Sequence, residues 1–115
     1  MRHRNTTTKL GREKAPREAL IKALCNALIL HGKMRTTLTK AKTVRPLVEK
    51  MVTLGDKASL AQIRNLRKNL SSQALRHLLK TVSPKYAERK GGYLRIVRLG
   101  NRKGDNAEEV IIEFV

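Results

Sequence analysis

KMRTTLTKAKTVRPLVEKMVTL, from Lys33 to Leu54, decides how the rest of this chain is arranged. Met34 to Leu38 reads as a short strand, and from Thr39 onward the apolar residues recur with the spacing of a helix. At roughly 100° per residue, Ala41, Val44, Leu47, Val48, Met51, Val52 and Leu54 share one side, while Lys42, Arg45, Glu49, Lys50 and Thr53 share the other. One face is built to pack. The other opens with Lys40, Lys42 and Arg45 beside the unpaired N–H groups of a first helical turn, where a phosphate oxygen finds donors and positive charge together. Thr39 is the expected N-cap. Pro46 stands inside this stretch, and an interior proline costs about 3 kcal/mol. Because the apolar stripe continues across it, one kinked helix is expected, ended by Gly55.

Upstream, Pro16 is a good first helical residue, and Leu20, Leu24, Ala27, Leu28 and His31 recur at helical spacing with Ile21 and Cys25 beside them. Gly32 is the expected stop. Downstream, Leu60, Ile63, Leu66 and Leu70 mark one short helix and Leu75, Leu78, Leu79 and Val82 another, with Ser59 and Ser72 as N-caps. Both need a core to dock on, because isolated three-turn helices do not persist in water. SPKYAERKGGY, residues 83–93, reads as a basic loop by its Pro84 and Gly91-Gly92. The period then becomes two: Tyr93, Arg95, Val97 and Leu99 alternate with Leu94, Ile96 and Arg98, and after GNRKGDN a second run covers Glu109 to Val115. The expected architecture is α+β: four or so helices packed on a small three-stranded mixed sheet, with a basic extended N-terminal arm. Residues 1–14 form the arm and 15–115 a single globular domain.

The charge balance selects the partner. The 115 residues carry 26 Lys plus Arg against 9 Asp plus Glu, a formal charge of +17. A folded chain with that surplus repels itself, and a polyanion relieves the repulsion. The cations are spread along the whole chain instead of gathering on one amphipathic helix, which favours nucleic acid over a membrane surface. No apolar run approaches the length of a membrane span, and MRHRNTTTKLGREK lacks the apolar core of a secretory signal, so an intracellular protein is expected. In residues 1–17, Arg2, Arg4, Lys9, Arg12, Lys14 and Arg17 face only Glu13, and Leu10 is the one large aliphatic after Met1. Such a segment cannot pack itself but can lay its cations along successive phosphates.

Enzyme chemistry has little to build on. His3, His31 and His77 lie far apart in sequence, Cys25 has no ligand beside it, and no metal site or cofactor is expected. The glycine pairs lack the partners of a phosphate-cradling loop, and Asp105 with Asn106 beside Gly104 reads as a turn. Only Tyr86, Tyr93 and Phe114 are aromatic, too few for a base-stacking platform. What remains is Lys and Arg against phosphate and sugar, with strong salt dependence and little base specificity. On charge, Lys14, Arg17, Lys33, Arg35, Arg45, Arg95, Arg98, Arg102 and Lys103 are expected RNA contacts.

MRHR at the start, KLGR at 9–12, TTLTKAK at 36–42 followed by Arg45-Pro46, YAERKGGY at 86–93 and the ending RKGDNAEEVIIEFV together resemble the bacterial-type family of ribosomal large-subunit protein seventeen, from end to end. The family often has serines just before the first helix and proline where this chain has Thr39; here the first helix is preceded by Lys14-Ala15. The resemblance implies a structural, non-enzymatic constituent of the large ribosomal subunit, cytoplasmic on the ribosome or in an organelle, bound to ribosomal RNA near the exit of the nascent-chain tunnel, with other large-subunit proteins as neighbours. It carries over Arg2, His3, Arg4, Lys9 and Arg12 as an RNA-binding arm, and Thr36, Thr37, Lys40 and Lys42 as a strand-to-helix handover that meets RNA. Two other readings compete on the residues alone: a general nucleic-acid coating protein and a small RNA-processing enzyme.

Overall fold

The computed structural model describes residues 9–115. The expected arm contacts Arg2, His3 and Arg4 lie outside the described residues. Helix α1 runs Lys14–His31, strand β1 Lys33–Thr37 and helix α2 Leu38–Gly55. Two short helices follow, α3 (Leu60–Arg67) and α4 (Ser72–His77). The latter continues through a π-turn (Leu78–Val82) into a single turn, α5 (Ser83–Lys85). Strands β2 (Leu94–Asn101) and β3 (Glu108–Phe114) close the chain.

The sheet has the order β1-β3-β2. Its three strands stand as expected, but both pairings are antiparallel, so it is not mixed: β2 and β3 form a hairpin, and β1 lies antiparallel along the other edge of β3. Residue 33 pairs with residue 113 and residue 94 with residue 114. Val110 and Ile112 of β3 and Leu94 of β2 turn to the helices and are buried, while Arg95, Val97, Glu109 and Glu113 are on the opposite side of the pleat. Val97 is exposed on that outer side, and a bulge between Arg98 and Gly100 interrupts the β2 register at Leu99, which is also exposed.

One core joins the layers. Cys25, Leu28 and Ile29 of α1 meet Ala41, Val44, Val48, Met51 and Val52 of α2, then Leu66, Leu70, Leu75, Leu78 and Val82, over the inner face of the sheet. Each fully buried large aliphatic contributes about 1.5–3 kcal/mol relative to exposure. Two leucines of the expected faces are not buried: Leu47 is 38% and Leu60 64% exposed. Leu47 lies at the margin of the α2 stripe, and Leu60 is the first residue of its helix, ahead of the docked turn.

Local chemistry accounts for the boundaries. α2 passes through Pro46 without ending. Pro46 and Lys42, four residues back, are both exposed, so the Lys42 carbonyl deprived of its helical donor sits on the solvent side. Gly32 takes φ 80° and returns its N–H to the Leu28 carbonyl, as a C-terminal glycine does. Gly55 does not end its helix in that way: it lies inside α2, and Asp56 is the C-cap. A Cβ there would overlap Ser83 Oγ, so this glycine serves a close approach between α2 and α5. Ser59 caps α3 in a reciprocal box with Gln62. At α4 the cap is Ser71, not Ser72: Ser71 Oγ accepts from the Ala74 N–H.

The expected loop at residues 83–93 begins as helix instead. Pro84 falls in a first turn where its missing N–H is tolerated, and the π-turn before it bonds the Ser83 N–H to the Leu78 carbonyl. Tyr86 then turns inward, its hydroxyl donating to the Val115 carbonyl and its ring 5.2 Å from that of Tyr93 and 5.9 Å from that of Phe114. The aromatic residues are a clasp for the end of the sheet, a role that their positions in sequence did not show.

Candidate nucleic-acid interface

The two long helices share an unusual start. α1 is preceded by Glu13 and α2 by Thr37; neither makes a side-chain cap hydrogen bond, and neither first turn contains an acid. Thr39 is not the cap of α2, because the cap falls two residues earlier, at Thr37; the Thr39 carbonyl accepts a bond from Thr43 Oγ1. The short helices α3 and α4, by contrast, are both capped by serine. Lys14 and Arg17 stand in the first turn of α1, and Lys40 and Lys42 near the start of α2. Cations at a helix N-terminus oppose the macrodipole, so these turns are less favourable alone than with an anion present.

The acids are placed elsewhere. Glu109 accepts Arg35, Glu49 accepts Arg45, Glu113 accepts Arg95 at 2.8 Å, Glu108 accepts Arg98 at 2.7 Å, and Asp105 pairs with Arg102. These pairs use five of the chain's nine acids. All but Arg45–Glu49 lie on the sheet or its hairpin loop. Each is solvent-exposed, so it contributes little stability, but it leaves no net charge at its place on the surface. Lys9, Lys14, Arg17, Lys33, Lys40, Lys42 and Lys103 form no ion pair among the described residues, and Arg12 donates to the Leu10 carbonyl. Thr36 and Thr37 end β1, half-buried, next to Lys40.

The hairpin loop behaves as a turn and not as an acid site. The Arg102 N–H bonds to the Ala107 carbonyl at 2.7 Å, Gly104 has φ 104° and Asn106 φ 57°. Hydrogen bonds from the Arg102 side chain, and then from the Ala107 N–H, hold the Asp105 carboxyl down at about 2. Cys25 is buried in the core, and burial pushes its thiol up to about 11, which leaves it an inert packing group. Among the described residues no group of His, Cys, Asp or Glu is arranged to hold a metal ion, and no helix is long and apolar enough to cross a membrane.

One assembly was not foreseen. His31, at the end of α1, faces His77, Arg76 and Lys80 across a cleft. The two histidines are distant in sequence, and only the packing of α4 against α1 brings them together.

The fold and its charge define a class of protein: a small α+β domain whose cations outnumber the acids that could pair them, with the surplus concentrated away from the sheet. The family model of ribosomal protein L17 matches residues 20–115. The large ribosomal subunit protein bL17 of Acidobacterium capsulatum is 45% identical over 116 residues, covering 100% of this chain and 72% of that relative. Those of Koribacter versatilis and Persephonella marina are 46% and 48% identical, again across 100% of this chain and across 72% and 95% of the relatives. The chain belongs to the ribosomal protein L17 family, whose members are structural proteins and not enzymes.

Proposed function

We propose that this chain is a structural constituent of the large ribosomal subunit, holding ribosomal RNA near the exit of the nascent-chain tunnel through Lys and Arg contacts to phosphates. The carrying observation is the contrast between helix ends: α1 and α2 begin uncapped beside cations, while α3 and α4 are capped. RNA phosphate supplies the acceptor and the negative charge that those first turns lack. Lys9, Arg12, Lys14 and Arg17 lead into one turn, with Arg2, His3 and Arg4 ahead of them; Lys33, Thr36, Thr37, Lys40 and Lys42 serve the other. Arg35, Arg45, Arg95, Arg98 and Arg102 bind second, each exchanging a carboxylate for a phosphate, and Lys103 extends the hairpin loop. The likeness to relatives named as large-subunit proteins supports both the RNA and the neighbouring ribosomal proteins as partners, on the ribosome.

Sedimentation tests the proposal. Lysate is run at high and low magnesium and the chain is followed through each gradient. It should travel with intact ribosomes and remain on the large subunit when they dissociate. Spread through bulk nucleic acid would favour a coating protein, and a position at the top of the gradient would exclude ribosome binding.

A further inference from the structure

We infer that the cleft between the C-terminal end of α1 and the outer side of α4 and its π-turn is a second seat for RNA phosphate, separate from the N-terminal turns; the inference rests on the RNA-binding function proposed above. The cleft is a wide one, open to solvent, with a volume of about 480 Å³. Leu30 and His31 of α1 line one side, and Gln73, Arg76, His77, Lys80 and Thr81 line the other. No carboxylate lines it, and among the described residues neither Arg76 nor Lys80 forms an ion pair.

Five nitrogen-bearing side chains, His31, Gln73, Arg76, His77 and Lys80, lining one space from two elements differ from a solvated basic helix face, on which cations point apart. Arg76 presents a planar fork suited to phosphate, Lys80 a point charge one turn on, and Gln73 and Thr81 neutral hydrogen-bond donors at either end. The helix packing makes this arrangement durable: Ala74, Leu75, Leu78 and Val82 are buried, so the opposite side of the same segment must carry Arg76 and Lys80. The Ser71 N–H donates to the Asn26 side chain at 2.8 Å, which ties the start of α4 to α1 and fixes the cleft's width from behind. A cation at a helix C-terminus also complements the macrodipole, which would explain one of these residues. It does not explain why residues of both elements face one space. α1 spans 18 residues, so at about 1.5 Å per residue the cleft stands roughly 27 Å from the start of that helix. A phosphate there belongs to a different stretch of RNA backbone from one held by the arm.

The test is binding of the full chain to purified large-subunit ribosomal RNA over a salt series, comparing wild type with R76Q/K80Q. Each lost phosphate contact flattens the logarithmic salt slope by roughly 0.7–0.9, so the pair should flatten it by about 1.4–1.8 and weaken binding at least about tenfold at low salt. The conservative R76K/K80R should keep the slope. R64Q/R67Q removes the same charge from α3, outside the cleft, and should change the slope less; an equal change would overturn the cleft in favour of bulk charge. Hydroxyl-radical protection of the RNA backbone should be lost over one stretch in R76Q/K80Q, distinct from the stretch lost when residues 1–12 are deleted. Loss of the same stretch in both would overturn the second seat. If wild type discriminates ribosomal from unrelated folded RNA and R76Q/K80Q matches its slope, the cleft alone is overturned. If wild type does not discriminate, the ribosomal function fails first. Variant binding that is normal on naked RNA but lost from assembled subunits would assign the cleft to a protein neighbour and overturn the proposal.

Discussion

The buried Ser83 hydroxyl donates a hydrogen bond to the Val52 carbonyl at 2.9 Å, through a gap that Gly55 keeps open. The Asp56 N–H bonds to Thr53 and not to Val52, so the Ser83 hydroxyl satisfies a last-turn carbonyl from outside the helix. In Gly55→Ala the gain in helix propensity, about 1 kcal/mol, meets an overlap costing about 1–3 kcal/mol. A net loss of about 0–2 kcal/mol is expected in urea unfolding. Removing the hydroxyl first should relieve the clash, so adding Gly55→Ala to Ser83→Ala should cost less than it does in wild type. Equal costs in both backgrounds would sink this account.

The clasp around Tyr86 makes a separable prediction. Tyr86→Phe keeps the ring contacts with Tyr93 and Phe114 and loses only the bond to the Val115 carbonyl, at a cost of about 1 kcal/mol. Tyr86→Ala loses the packing as well and should cost about 3–5 kcal/mol. A Tyr86→Phe loss as large as that of Tyr86→Ala would show that the hydroxyl, and not the ring stack, holds the sheet to α5.

Cys25 titrates from an ordinary value of 9.0 up to about 11 because burial disfavours the thiolate. A raised folded value means its contribution is fully present below 9 and is lost as pH rises toward 11. Cys25→Ser should flatten the fall in stability between those limits. At pH 8, a thiol reagent should modify the native chain far more slowly than the urea-unfolded one; equal rates would refute the burial.

Charge substitutions separate paired from unpaired cations. K40Q/K42Q should weaken ribosomal RNA binding and flatten its salt slope by about 1.4–1.8. R95Q/R98Q removes arginines that are already opposed by Glu113 and Glu108 and should do less. A larger effect from R95Q/R98Q would make the sheet face the primary RNA contact.

Deleting residues 1–12 should weaken RNA affinity and flatten the salt slope while the circular dichroism of the helices persists, since α1 begins only at Lys14. Unchanged binding would remove the arm from the interface.

How much could be read in advance follows from the range of each signal. The strand-to-helix handover at residues 33–54 was legible to within two residues, because it depends on local period. Ser59 was legible because Gln62 stands at the position a capping box requires. Ser71 and Ser72 are adjacent and chemically equal, so only the observed Ala74 contact separates them. Pro84 resembled a loop former because a π-turn leaves no periodic signature that would show a helix passing through. Gly55 resembled a helix stop because its reason, Ser83, comes 28 residues later. That Lys40 and Lys42 fall near the start of α2 was legible from the helical period. The pairing of Arg35 with Glu109 and the meeting of His31 with His77 depend on strand register and helix packing, which no local pattern carries.

β3 is the middle strand of the sheet and the last of the three to be made. Residue 33 of β1 must wait for residue 113, 80 positions later, before its ladder can form. At about 5–20 residues per second of synthesis, that interval is roughly 4–16 seconds. Throughout it α1 and α2 can exist as helices, but β1 has no hydrogen-bonding partner and the core has no floor. The newborn chain therefore passes through a timed window in which most of its cations are present and its domain is not, and the clock stops when Val110 and Ile112 arrive.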